Sequence, residues 1–165
     1  MNPFIADLMF TFTKGNIISE AIAHYTHCRI THVQTIIGIG INGTLQVMSA
    51  DEHGLQPHWV NLYDYHWACI LTCPELTLKQ RDGICSWMWS NKDTPYDFLG
   101  LASFVINIDM NTEARVFCSE SVYEGYLRGA GVELLTGIDH CYLSPRDLWI
   151  SPKLVTLDGS QKEVR

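Results

Sequence analysis

Cys118 and His32 are the two side chains of this sequence whose types combine most directly into covalent chemistry. Cys118 follows an apolar pair and stands at the first turn of a segment with helical spacing. The unpaired N–H groups at a helix start stabilise a thiolate, and the thiolate is the form that attacks a carbonyl carbon. With a histidine as base, such a cysteine predicts acyl transfer through a covalent intermediate. The alternative is a buried cysteine that only begins a core helix.

The elements around His32 predict how that histidine is positioned. Residues 30–41 are rich in β-branched side chains and run into Asn42-Gly43, a strong two-residue hairpin signal, with residues 45–50 as the return strand. If Ile41 opposes Thr44, alternation places one set of polar groups on the side of His32, provided that no bulge shifts the register. That set is Ser49, Asp51 and His53.

Helices and a third strand complete an α+β pattern. Residues 69–72 form the third predicted strand, and a helix is predicted over residues 77–91, with Lys79 to Asp82 facing solvent. In the cysteine helix, residues 117–127, Cys118, Val122 and Tyr126 share one face. The remaining predictions are a helix over residues 16–26, an apolar helical segment over 98–106, glycine caps at 129 and 131, and a helix capped by Ser144 with Pro145 at its first position.

Composition limits the number of domains and the classes of partner. The chain has 165 residues, of which 47% are hydrophobic, so we expect one domain over residues 1–157 and a flexible tail over 158–165. Its 11 basic residues among 18 acidic ones give a net charge of −7, which argues against binding nucleic acid or an anionic membrane surface. No stretch approaches a membrane span without polar interruption, so no stable membrane insertion is expected.

Cysteine and histidine patterns predict neither disulfides nor a metal. The N-terminus has no basic signal region, so we expect a cytoplasmic protein whose six cysteines are reduced. Histidines at 24, 27 and 32 cluster with Cys28, but no Cys-x-x-Cys pair and no second cluster follows. We therefore predict no metal site and no cofactor.

Five fragments of the sequence, taken in order, resemble a known superfamily. From about Ile17 to Leu154, the chain is similar to the circularly permuted branch of the NlpC/P60 papain-like superfamily, to which YiiX-like and lecithin:retinol acyltransferase-like proteins belong. In that branch the histidine precedes the cysteine, as it does here. The fragments are His32-Val33 through Gly38, Val47-Met48-Ser49-Ala50 with Gly54-Leu55, Pro95-Tyr96-Asp97-Phe98, Phe117-Cys118-Ser119-Glu120, and Ser144-Pro145 through Ser151-Pro152.

The resemblance implies a fold and a set of roles. The fold is a small antiparallel sheet packed against helices, with the nucleophile at a helix N-terminus. Cys118 would be the nucleophile and His32 the general base, with Tyr96 as an oxyanion or substrate contact. Ser49 stands where the family usually has a glutamate or histidine that orients the base. Either Ser49 takes that role, or Asp51 does, or activity is weak or lost.

The implied function is that of a cysteine hydrolase, an amidase or peptidase acting through an acyl-enzyme. Its substrate would be a peptide or other amide, for example a cell-wall peptide or an isopeptide-like bond. The alternatives are a lipid acyltransferase or thioesterase of the same fold, and a non-catalytic binding or structural domain, for example in a phage particle. A bacterial or phage origin is expected.

Overall fold

A computed structural model describes residues 2–14, 20, 23–24, 27–51, 53–95, 117–137, 143–157 and 162–163. The predicted helix over 16–26 and the apolar segment over 98–106 lie outside these residues in part or in full, as does Tyr96. Among the described residues, no helix is both long enough and apolar enough to cross a membrane. The five described cysteines are free thiols.

An antiparallel sheet forms the centre of the molecule, and its seven described strands are ordered β4-β3-β2-β1-β5-β6, with β7 also paired to β5. The third strand expected from the sequence is therefore the fifth along the chain. Two residues of the stretch predicted to be a flexible tail lie in β7. The strands are β1 Leu8–Phe12, β2 His32–Ile39, β3 Leu45–Asp51, β4 Gly54–Val60, β5 Trp67–Thr72, β6 Val155–Thr156 and β7 Lys162–Glu163.

In the described part of the chain, three α-helices with defined bounds accompany the sheet, and each begins within one residue of its predicted start. They are α1 Leu78–Ser90, α2 Cys118–Ala130 and α3 Pro145–Trp149. Thr77 and Ser144 each accept the third amide of their helix and so satisfy a donor that the helix leaves unpaired. Gly131 ends α2 at φ +67°, a left-handed conformation that glycine adopts at little cost. Of the two glycines predicted as caps, Gly131 is confirmed, whereas Gly129 lies within α2.

Both faces of the sheet are covered by apolar groups, because successive side chains of a strand point to opposite sides. Leu8, Phe10 and Val33 belong to the larger core, which also holds Cys118, Val122 and Tyr126 of α2. The predicted stacking of those three α2 residues on a buried face is confirmed. The smaller core on the opposite face consists of Met9, Ile36, Leu45, Val47, Ile70 and Leu157.

The hairpin between β2 and β3 differs from the predicted one in two places. The loop is a single 3-10 turn, Ile41–Gly43, closed by the Gly40 amide donating to the Thr44 carbonyl at 2.8 Å. Ile41 therefore does not oppose Thr44, and the predicted register is wrong by one residue at the turn. An irregularity between Ile36 and Gly38 shifts the register by one more residue. Because side chains alternate between the two faces of a strand, two shifts of one residue together leave each side chain on the face predicted for it. His32 therefore shares a face with Ser49 and Asp51, as predicted.

The solvent-facing prediction for α1 is wrong at Arg81, which is only 6% exposed. Its guanidinium donates to Asp7 Oδ1 at 2.7 Å, to the Ile5 carbonyl at 2.8 Å, and to Thr72 Oγ1 at 3.1 Å. Local spacing indicated an outward position because arginine is usually exposed. The reason for its burial is a carboxylate more than seventy residues away, which helical periodicity does not reveal.

Helices α1 and α2 touch at glycines, and this contact carries a prediction. A Cβ atom on Gly129 would lie 2.6 Å from the Gly83 carbonyl oxygen and 2.7 Å from Ile84 Cα, both backbone atoms. Gly129→Ala should gain up to about 1 kcal/mol in helix propensity but lose more by forcing the helices apart. We expect a net loss of about 1–3 kcal/mol in the free energy of unfolding, measured by urea denaturation.

Gly125→Ala in the same helix is the matched control. Its new Cβ would meet the end of the Met88 side chain at 2.6 Å, and a methionine can move aside. A loss for Gly129→Ala no larger than that for Gly125→Ala would show that the backbone contact does not limit the helix spacing.

Candidate active site at the start of the cysteine helix

Cys118 is the first residue of α2 and is only 4% exposed. The preceding residue, Phe117, has extended backbone angles, and its amide donates to the Glu120 carboxylate at 3.3 Å. This bond satisfies a backbone donor at the helix start, and the Ser121 hydroxyl donates back to the Cys118 carbonyl at 2.9 Å. The predicted position of Cys118 at a helix N-terminus is therefore what the structure shows.

The environment of the Cys118 thiol combines burial with several hydrogen-bond donors. Burial raises the pKa of Cys118 to about 11, against the opposing effect of backbone N–H groups of Val33, Ser119 and Cys118 itself and of the Ser119 side chain. Such donors favour a negative sulfur, but removal from water costs the charged form more. The thiol is therefore neutral at rest, with donors in place for a charge that develops during a reaction.

Strands β2 and β3 end their mutual pairing just where α2 begins. The last registered pair is Thr35 with Met48, although β2 extends back to His32 and β3 extends on to Asp51. The Val33 amide bonds the Cys118 sulfur at this point, and α2 contacts both strands. The helix start thus lies beside Val33, the residue next to His32 in β2.

Beyond the last β2–β3 pair, the side chains of His32 and Ser49 are hydrogen-bonded to each other. Nε2 of His32 lies 2.8 Å from Ser49 Oγ, in a hydrogen bond whose donor depends on the imidazole tautomer. Burial lowers the pKa of His32 to about 4; the Asp51 carboxylate acts in the opposite direction, and His58 lowers the pKa further. The imidazole is consequently neutral at neutral pH and retains one nitrogen that can accept a proton.

Of the two residues considered for orienting the histidine, Ser49 is the one that bonds it. Asp51 instead places Oδ2 2.8 Å from His58 Nε2, and its Oδ1 accepts the His53 amide at 2.9 Å. Asp51 therefore acts on His32 through space. His53, the third residue predicted on this side, lies in the turn between β3 and β4 and is exposed.

Two polar residues near the site were not identified from the sequence as part of it. His58 lies in β4, which the sequence did not clearly predict, although Leu55, Pro57 and Trp59 alternate with Gln56 and His58 as a half-buried strand requires. Gln34 is the second residue after His32 in β2. It is buried and donates to the Tyr65 hydroxyl at 3.2 Å.

Comparison with known proteins gives a structural likeness only. No family model and no curated protein match the sequence. Among solved structures, the chain is similar to the crystal structure of the metalloprotein YiiX from Escherichia coli O157:H7, of family DUF1105. The TM-score is 0.70 at 17% sequence identity, over 95% of this chain and 97% of that one. We conclude that the chain has the fold of YiiX.

Proposed function

We propose that the chain is a thiol hydrolase of the permuted NlpC/P60 type, in which Cys118 attacks the carbonyl carbon of an amide bond and His32 is the base. The observation that carries the proposal is the hydrogen bond from the Val33 amide to the Cys118 sulfur, which brings the nucleophile to the residue beside His32. A cysteine with a histidine that is itself oriented by a third group is the usual arrangement for covalent acyl transfer.

The resting protonation states determine the first step. With the thiol pKa near 11 and the imidazole pKa near 4, both groups are uncharged at neutral pH. When Nε2–H of His32 donates to Ser49 Oγ, Nδ1 is free to accept the thiol proton. The S–C bond then forms as that proton moves to His32, rather than from a preformed ion pair.

The later steps follow from the same groups. The amide oxygen becomes negative in the tetrahedral intermediate, and backbone N–H groups at the start of α2 are suited to stabilise that charge. His32 returns its proton to the departing amine as the C–N bond breaks, leaving an acyl group on Cys118. Water, deprotonated by His32, attacks this thioester and releases the acid, which regenerates the thiol.

A metal has no part in this proposal. YiiX is described as a metalloprotein, but the described residues of this chain include no group of three or more His, Cys, Asp or Glu side chains placed to hold an ion. Stable metal binding by protein side chains usually takes three or four such ligands. The described residues therefore do not fit a resident metal, and every step of the proposed reaction uses protein groups and water.

A non-catalytic binding domain is the second candidate, and the burial of the cysteine favours it. A nucleophile that is 4% exposed and has a raised pKa resembles a structural cysteine. Ser49 also favours a non-catalytic domain, because a hydroxyl cannot stabilise an imidazolium by charge as a carboxylate would.

The test is covalent capture of the acyl group. We expect incubation with peptidoglycan fragments, isopeptides and a lipid ester to yield a mass adduct that peptide mapping places on Cys118 for the amide panel. Cys118→Ala should lose the adduct completely. Cys85→Ala is the matched control, since burial also raises the pKa of this helical thiol to about 11.

The outcomes separate the candidates. An adduct formed only with the lipid ester would assign an acyltransferase or thioesterase. No adduct on Cys118 with any of the three would contradict the hydrolase and favour the binding domain.

A further inference from the structure

Asp51 and His58 form a close side-chain pair on the same face of the sheet as His32. In the register of β3 with β4, Ser49 opposes Gln56 and Val47 opposes His58. Opposed residues share a face, and alternation adds Asp51 to that face. The pair thus stands beside the His32–Ser49 bond rather than on the side of the larger core.

The contacts of the pair are short and specific. His58 Nε2 lies 2.8 Å from Asp51 Oδ2, and the two side chains are 40% and 33% exposed. Because Oδ1 takes the His53 amide, both carboxylate oxygens already have partners on neighbouring residues. A carboxylate held in this way has one fixed position relative to His32.

The two groups act on His32 in opposite directions. Asp51 raises the pKa of His32, whereas His58 lowers it. Of the other ionisable groups, Asp93 accepts from Gln56 and pairs with Lys92, and the Cys118 thiol lies in the larger core. Among the described residues, Asp51 and His58 are therefore the two side chains whose charges act on the pKa of His32.

We propose that His58 is a positioning residue for His32 and that it acts through Asp51. The His58 imidazole holds the Asp51 carboxylate through its Nε2 contact, and a carboxylate released from that contact would stabilise a proton on His32 more strongly. His58 thus sets how readily His32 takes the proton of Cys118. The inference rests on the proposed function for its consequence in catalysis, but the coupling itself is a property of the folded chain.

The experiment is a histidine titration by NMR of wild type, His58→Gln, Asp51→Asn and the double variant. We expect His58→Gln to raise the pKa of His32 by about half a unit or more, and Asp51→Asn to lower it. In the Asp51→Asn background, the effect of His58→Gln should fall to less than half its size. Asparagine keeps the Oδ1 acceptor for the His53 amide, so the turn is retained.

A second readout uses the folded protein near neutral pH. If His32 becomes more basic, alkylation of Cys118 by iodoacetamide at pH 6–7 should accelerate by up to about threefold in His58→Gln, since half a pKa unit corresponds to that factor in the proton affinity of the base. The exposed histidine control, His24→Gln, should change neither the titration nor the rate. His24 lies outside the sheet.

The possible results distinguish this inference from the proposed function. His58→Gln and His24→Gln giving the same His32 titration and alkylation rate would overturn the inference. An equal effect of His58→Gln with and without Asp51 would also overturn it, because His58 would then act directly. The predicted shifts without any Cys118 adduct would leave the coupling standing and refute the hydrolase.

Discussion

His32→Gln is expected to slow acylation of Cys118 by an activated aryl ester by about 10²-fold or more, the usual contribution of a positioned general base. At neutral pH, a thiol with a pKa near 11 is almost entirely protonated, so attack depends on removing its proton. Glutamine can still bond Ser49 Oγ but cannot accept a full proton. The measurement is the burst of released phenolate, together with the mass of the acyl adduct.

The pH dependence of the same reaction has a definite sign. Wild-type acylation should rise as pH increases through about 4, where His32 becomes neutral, and should then level off. His32→Gln should show no such plateau and should increase with hydroxide towards pH 11. His66→Gln serves as the control histidine, because the His66 ring accepts the Lys14 amide and packs against the Phe12 ring. Equal pH profiles for His32→Gln and His66→Gln would show that His32 is not the base.

His32 also links pH to stability, in a direction that follows from its folded pKa. This value lies below the ordinary 6.5, so the unfolded chain takes up the proton first as pH falls. The contribution of the neutral His32 to the free energy of unfolding is complete above pH 6.5. It is lost as pH falls towards 4, by about 3 kcal/mol in total. His32→Gln should lose this acid sensitivity, which urea denaturation at pH 7 and pH 4.5 would show.

Asp7→Ala is expected to destabilise the fold by about 3–5 kcal/mol, because it leaves the buried Arg81 charge without its carboxylate. Asp7 is 0% exposed, and its Oδ2 also accepts the Phe4 amide at 2.8 Å. The guanidinium joins the start of β1 to the end of β5 by bonds to the Ile5 carbonyl, Thr72 and the Cys73 carbonyl. The free energy of unfolding in urea measures the loss.

A double variant separates the charge from the packing. Asp7→Leu with Arg81→Met removes both charges and fills the space with apolar groups, so it should recover most of the stability. Lys92→Ala, which breaks an exposed ion pair with Asp93, should change stability by no more than the error of the measurement. If the double variant were as unstable as Asp7→Ala, the unpaired charge would not be the cause.

The sequence by itself determined the helices α1, α2 and α3 and the chemical candidates, because their signals are local. Thr77 and Ser144 mark helix starts through caps that need only three following residues. Cys118 begins its helix as its neighbours indicate. The order of the histidine and cysteine fragments also predicts the fold that the chain shares with YiiX.

The tertiary structure alone decided the arrangement of the sheet. The central strand β1 is five residues long and was not predicted, since a short apolar run carries no clear period and its pairing with β2 and β5 is remote in sequence. The side on which His32 lies was predicted through a register that was wrong twice, at the turn and at the irregularity after Ile36. Only the observed strand pairing explains why the side was nevertheless right.

The tertiary structure also decided which side chains are buried and which protonation states they have. A helix start predicts an easily ionised thiol, yet burial outweighs the donors and raises the pKa of Cys118. Arg81 is a second example, because helical spacing predicts that it faces solvent whereas its pairing with Asp7 holds it in the interior. Removal from water depends on everything packed around a group, whereas helix starts depend on a few neighbours. The sequence therefore identified Cys118 and His32, and the fold set their charge states.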